Sequence, residues 1–188
     1  TALVDMYAKC GALVHAQKLF DDLSIRDVVS WSALIAGYAQ HQHYEEALSC
    51  FDKMQQDGVL PDAVTFVCIL QSCGSIGAMQ NGQILHSMII KDELLDNNPV
   101  IRNALLDMYA KCGMLIEARE VFDDLPRKDV VSWTLFIAGC AQLGQDDIVL
   151  NLLKKMIDKG SYPDSTTFSV VLSTCSHSGL LGKGQILF

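Results

Sequence analysis

Apolar residues along this 188-residue chain recur with the period of a helix. Between 30 and 40, Trp31, Leu34, Ile35 and Tyr38 fall at i, i+3, i+4 and i+7, and between 44 and 57 Ala47, Leu48, Phe51 and Met54 repeat that spacing. Each set therefore lies on one helix face. Gly58 follows the second stretch and Gly160 its later copy, where glycine ends a helix. Gly11, Gly77 and Gly113 each separate two amphipathic stretches, while Pro61-Asp62, Asp129 and Pro163-Asp164 close the pairs. Alternation with period two is sustained nowhere, so the pattern predicts helical hairpins and no sheet.

The hairpins are copies of one another. LVDMYAKCG at 3 to 11 returns as LLDMYAKCG at 105 to 113, and DVVSW at 27 to 31 returns at 129 to 133, both 102 residues on. In the same register AxxxFDDL at 16 to 23 matches 118 to 125, IAGxAQ at 35 to 40 matches 137 to 142, and Pro61-Asp62 matches Pro163-Asp164. About 40 of the 86 comparable residues are identical, the mark of a repeat architecture. One hairpin cannot bury its own apolar face, so the units are expected to stack into a superhelix whose first helices line the concave surface. A globular helical bundle is the rival, but it has no need for the same residues at one register.

Composition narrows the function. Fourteen Lys and Arg against 22 Asp and Glu leave a net charge of −8, which disfavours a generally basic nucleic-acid coat or an anionic-membrane binder but leaves room for a locally basic groove. No apolar run approaches the ~20 residues of a membrane span. Half the residues are hydrophobic, enough for a packed core throughout. Seven cysteines, with no CxxC and no histidine at zinc-finger spacing, read as reduced and mostly buried thiols; Cys10/Cys112 and Cys73/Cys175 are repeat equivalents that serve packing. His15, His41, His43, His86 and His177 are scattered, with His41 and His43 on one solvated turn, and no metal or cofactor is expected. The chain opens at Thr1 inside an apolar-periodic segment, without a start methionine, signal or transit peptide, and so reads as a fragment of a longer chain.

DMYAKCG, DVVSW, the ALxxFxxM string of 47 to 54 and GVLPDAVTFV at 58 to 67 resemble the pentatricopeptide repeats of the plant PLS subclass. With that family's unit boundaries the chain divides into 1–27 (a partial S unit), 28–62 (P), 63–98 (L), 99–129 (S), 130–164 (P) and 165–188 (a partial L unit). The resemblance implies an all-α, right-handed solenoid that binds single-stranded RNA in a plastid or mitochondrion, one base per unit. It also implies a role in C-to-U editing or other RNA processing, with editing accessory proteins meeting the L units. The uncovered faces at the two ends are expected to self-associate end to end.

In the family the readers are the fifth and last residues of a unit. Carried over, the pairs are Thr1 with Asp27, Ser32 with Asp62, Val67 with Asn98, Asn103 with Asp129, and Thr134 with Asp164, with Ser169 lacking its partner. The chemistry of these types supports a code. An ionised aspartate only accepts hydrogen bonds, so it favours the ring N–H of guanine or uracil over the bare nitrogen of adenine or cytosine. A short hydroxyl leaves room for a purine and can donate to it, while the longer amide of Asn103 suits a pyrimidine. Val67 makes no such bond and its base stays open. The target reads about 5′-GGNUGN-3′. The resemblance assigns base-sandwiching to the second residue of each unit, Val29, Val64, Val100, Val131 and Thr166, and a phosphate contact to Lys9 and Lys111; Gln40 and Gln142 stand at that place in the P units.

Each reader also has a purely local explanation. Ser32 and Thr134 could cap helices beginning at Ser30 or Val131, and the aspartates could satisfy helix ends or turns. The recurrent aromatics, Trp31 and Trp133 among them, are core. Glu45-Glu46 and Asp146-Asp147 open second helices, where acids offset the dipole. There is no GxxxxGK[ST], HExxH or GxSxG, and no HxE with PCxxC, so no catalytic activity is expected of these residues; a deaminase-like domain could lie downstream. The competing class is a protein-interaction scaffold, which the acidic charge favours.

Overall fold

The computed structural model describes residues 1–92, 94, 95 and 98–177, apart from the side chains of Cys175 and His177. Among the described residues there are eleven α-helices and no strand. They are α1 (Ala2–Lys9), α2 (Leu13–Asp21), α3 (Val28–Gln40), α4 (Tyr44–Gln56), α5 (Ala63–Ile76), α6 (Met79–Lys91), α7 (Pro99–Lys111), α8 (Leu115–Asp123), α9 (Val130–Gln142), α10 (Asp146–Asp158) and α11 (Ser165–His177). The chain forms two compact units, Thr1–Ala104 and Leu105–Phe188, and the division falls inside α7.

In the first unit α3 packs side by side with α1 and α5, while α2, α4 and α6 back the helices they follow. The two kinds of helix differ as their places require. On α4 the buried residues Ala47, Cys50, Phe51 and Met54 form a single stripe, and the rest of the helix is polar. On α3 burial reaches Ser30, Trp31, Ser32, Leu34, Ile35 and Gly37, because this helix has neighbours on several sides. Phe20 meets the Trp31 ring edge-on at 4.5 Å. In the second unit α9 packs against α8, α10 and α11, and Phe122 meets Trp133 at 4.8 Å. Burying an aromatic or aliphatic side chain of this size contributes about 1.5–3 kcal/mol.

Close approach of the first helices depends on glycine. A Cβ on Gly37 would lie 2.5 Å from Cβ of Ala8 on α1, and one on Gly139 would lie 2.5 Å from Cβ of Ala110 on α7. Both glycines sit in the repeated IAGxAQ string. The helix boundaries depart from the periodic stretches: α3 starts at Val28 and α9 at Val130, earlier than a cap at the serine or threonine would place them. Asp27 and Asp129 cap instead, with Ser30 and Ser132 as buried partners one turn in.

The thiols divide. Cys50, Cys73 and Cys140 are buried, but Cys10 is exposed and Cys112 half-buried, each standing just past the end of α1 or α7. Cys175, the repeat equivalent of Cys73, and His177 have side chains outside the described residues. Burial pushes the Cys50 and Cys68 thiols up to about 11, and at Cys68 the charge of Asp62 adds to it. Both stay protonated at neutral pH and are poor nucleophiles. His41 is also less solvated than its turn suggests: its imidazole lies against Gly11, with Nε2 buried and unpartnered.

Candidate nucleic-acid interface

Four aspartates begin four first helices in the same way. Asp27, Asp62, Asp129 and Asp164 each direct Oδ1 to the backbone N–H three residues on, of Ser30, Thr65, Ser132 and Thr167, all at 2.8 Å. This is the N-cap bond that satisfies an otherwise orphaned donor. The same bonds, led by the backbone N–H and followed by the Ser30 or Thr167 side chain, hold the carboxyls of Asp27 and Asp164 below the ordinary carboxylate value. Among the described residues, the hydrogen bonds these four carboxylates accept fall on Oδ1, and Oδ2 accepts none.

Two of the predicted pairs are joined by a hydroxyl relay. Ser32 Oγ lies 3.1 Å from Asp62 Oδ1 and 2.7 Å from Thr65 Oγ1, which itself donates to Asp62 Oδ1 at 2.8 Å. A hydroxyl has one proton, so Thr65, having given its own to the carboxylate, accepts from Ser32. In the second unit Thr134 Oγ1 lies 2.7 Å from Thr167 Oγ1, and Thr167 donates to Asp164 Oδ1 at 2.8 Å. The carbonyls of Val28 and Val130 lie 2.7 and 2.8 Å from Ser32 Oγ and Thr134 Oγ1 and compete for the one proton each hydroxyl has; the two residues are 7% and 9% exposed. Neither caps a helix, and a base would have to draw their protons away from internal partners.

The other predicted readers are placed more loosely. Thr1 stands at the N-cap of α1 without a side-chain bond, and Asn98 accepts from the N–H groups of Val100 and Ile101 at 3.1 and 3.3 Å. Val67 and Asn103 are half-buried on α5 and α7, and exposed Ser169 donates to the carbonyl of Ser165. The predicted sandwiching residues share one location, the second residue of a first helix. Val29, Val64, Val100 and Val131 are 54–59% exposed there, and Thr166 is exposed too. Four of these five positions thus leave a β-branched apolar side chain exposed at the start of a first helix. Lys9 and Lys111 are exposed or nearly so but already paired with Asp5 at 2.8 Å and Asp107 at 2.6 Å. Such surface pairs are weak, and a phosphate could compete for the ammonium.

Thr65 and Thr167 escaped the reading of the sequence. Their signal was present: each follows a capping aspartate by three residues, as Ser30 and Ser132 follow Asp27 and Asp129. Among the described residues no group of three His, Cys, Asp or Glu is placed to hold a metal ion.

A family model described as the PPR repeat family matches residues 26–75 and 128–177, and another, the PPR repeat, matches 1–28 and 100–130. The chain is 42% identical over 185 residues to a chloroplastic pentatricopeptide repeat-containing protein of Arabidopsis thaliana, covering 98% of this chain and 30% of the relative. It is 38% identical over 187 residues to a mitochondrial one from the same plant, covering 100% of this chain and again 30% of the relative. The chain thus spans under a third of the length of these relatives. Among solved structures, the pentatricopeptide repeat protein PPR10 in complex with an 18-nt psaJ RNA element superposes with a TM-score of 0.82 at 17% identity, over 99% of this chain and 28% of that one. At that identity the likeness is one of fold, an α-solenoid of stacked helical hairpins.

Proposed function

Since the chain belongs to the pentatricopeptide repeat family, we propose that it forms part of a PLS-type array that binds single-stranded RNA in a plastid or mitochondrion and reads one base per unit. The observation that carries this is the divided carboxylate. At Asp27, Asp62, Asp129 and Asp164 one oxygen anchors the side chain to a helix start, and the other is an immobilised acceptor with no donor among the described residues. Such an oxygen selects the ring N–H of guanine or uracil at little ordering cost. Two residues on, exposed Val29, Val64 and Val131, with Thr166 at the last unit, lie where the side chain can support the base. The RNA-bound PPR10 neighbour and the organelle names among the relatives support the ligand and the compartment.

The proposed target remains about 5′-GGNUGN-3′. Ser32 and Thr134, held short and nearly buried by their relays, leave room for a purine at their units, while U rests on the side-chain chemistry of Asn103 and Asp129. Directing C-to-U editing, with the chemistry supplied outside these residues, is the process this targeting would serve. One finding favours a protein scaffold instead: the chain is acidic and its candidate phosphate lysines are already paired.

Asp164→Asn separates these readings. Asparagine caps a helix as well as aspartate, so the fold should be unchanged. Its carbonyl can keep the Thr167 N–H while its amide replaces the free acceptor with a donor. Preference at that base should move from G to A, with about 1–3 kcal/mol lost for G and other positions unaffected. Binding would be measured on RNAs that differ only at that base, at fixed salt. If parent and variant rank G and A alike, Asp164 only caps, and the reading assignment is wrong.

A further inference from the structure

The second unit holds a cavity of about 740 Å³, walled by α8, α9, α10 and the turns after α8 and α10; its lining includes neither Asp129, Val131 nor Asp164. Five cations line it, Arg119, Arg127, Lys128, Lys155 and Lys159, against the carboxylates of Asp123 and Asp158. That is a net +3 in a chain of net −8. Little inside the protein neutralises it. Arg119 reaches Asp123 only at 3.8 Å, Lys128 donates to the carbonyls of Asp123 and Leu125, and the side chains of Arg127, Lys155 and Lys159 have no ion pair or hydrogen bond among the described residues. Trp133, 4% exposed, forms part of the wall, and its buried indole N–H has no partner.

The first copy of the repeat lacks this charge. At the positions 102 residues earlier, Gln17, Ile25 and Asp57 replace Arg119, Arg127 and Lys159, while Arg26 and Lys53 match Lys128 and Lys155. With Asp21 and Gln56 for the two carboxylates, the set is neutral. The repeat fold thus does not require Arg119, Arg127 or Lys159. Like charges gathered around one cavity repel each other unless an anion is there to meet them.

We propose that this cavity binds a phosphate-bearing anion of at least two negative charges. Two guanidinium forks and three ammonium groups suit the oxygens of adjacent phosphates, and the volume lies in the range of nucleotide-sized ligands. The phosphates could come from a free polyphosphate ligand or from the backbone of a nucleic-acid strand. The proposal does not depend on base reading, and an array that failed to distinguish bases would leave its test unchanged.

The test is calorimetric titration of the 188-residue chain with inorganic pyrophosphate, beside the variant Arg119→Gln/Arg127→Ile/Lys159→Asp, which installs the first copy's residues. All three positions are exposed, so the melting curve should be preserved. One site per chain is expected, weakened about tenfold or more in the variant as charge-assisted bonds are lost. In a Trp31→Phe background, fluorescence of Trp133 should change on binding in the parent alone. A second arm adds oligouridylate without a terminal phosphate. Its displacing pyrophosphate assigns the site to strand backbone, and simultaneous binding assigns it to a free phosphate ligand. Absence of pyrophosphate binding, or equal binding by parent and variant, overturns the proposal.

Discussion

Helices α1–α5 and their counterparts 102 residues on, α7–α11, are two executions of one plan, and they differ in instructive places. Both have the aspartate cap, the threonine three residues later and the glycine that lets neighbouring first helices touch. They part at the relay, where Ser32 reaches Asp62 directly as well as through Thr65, whereas Thr134 is joined to Asp164 through Thr167. They part again at the hairpin turn, where Gln42 takes a φ of 64° and Gly144 a φ of 66°. They part most in the charge behind the first helices. Positions that set the distance between helices are shared, while several charged positions behind them diverge.

The shared close approach should be the most sensitive. Gly37→Ala and Gly139→Ala each place a methyl 2.5 Å from an alanine Cβ, with the backbone Cα of that alanine at 3.1 and 3.2 Å, so the helices must move apart. A loss of about 1–3 kcal/mol is expected in both copies, read from denaturant midpoints. Pairing Gly37→Ala with Ala8→Gly should recover most of it, and no recovery would mean that this contact does not set the spacing.

The relay should break unequally. Thr167→Val removes the hydroxyl that joins Thr134 to Asp164, at a cost of up to about 2 kcal/mol, whereas Thr65→Val should cost about 1 kcal/mol because Ser32 keeps its own bond to Asp62. Equal losses would erase the distinction drawn between serine and threonine at the fifth position.

The turn swap is smaller and has two signs. A left-handed backbone is strained for any residue with a Cβ, so Gln42→Gly should stabilise and Gly144→Gln destabilise, each by about 1 kcal/mol, visible as opposite shifts in Tm. The smallest effect is electrostatic. Asp27 and Asp164 titrate below 3.8 because the folded state hydrogen-bonds their charged form. Their contribution to stability is therefore complete above that pH and fades as pH falls through the lowered folded value. Carboxyl titration by NMR should show both midpoints below 3.8, and Asp164→Asn should remove its share of the acid dependence.

Much of this molecule was legible in order along the chain. The offset of 102 residues, the helical period and the glycine and proline punctuation pointed to paired helices and to no strand, because each is a local rule about backbone geometry. Asp27, Asp62, Asp129 and Asp164 were legible as special positions by recurrence alone. Residue type could not say whether they cap helices or address a ligand, and the caps are made with one oxygen each. The alternative in which Ser32 and Thr134 cap helices could not be settled for a related reason: both have the chemistry of a cap, and only the fold shows them buried with their hydroxyls turned to the next hairpin.

What the sequence by itself determined was the repeat, its helices and the positions that every copy must respect, since these follow from short-range sterics and from the need of each apolar face for a neighbour. The tertiary structure decided which polar atoms meet. Thr65 joins Ser32 to Asp62 across 30 residues of chain, Gly37 admits Ala8, and Arg119, Lys155 and Lys159 come to border one cavity from separate elements. Hydrogen bonds and charge act over a few ångströms in space, and those distances exist only once the hairpins have packed.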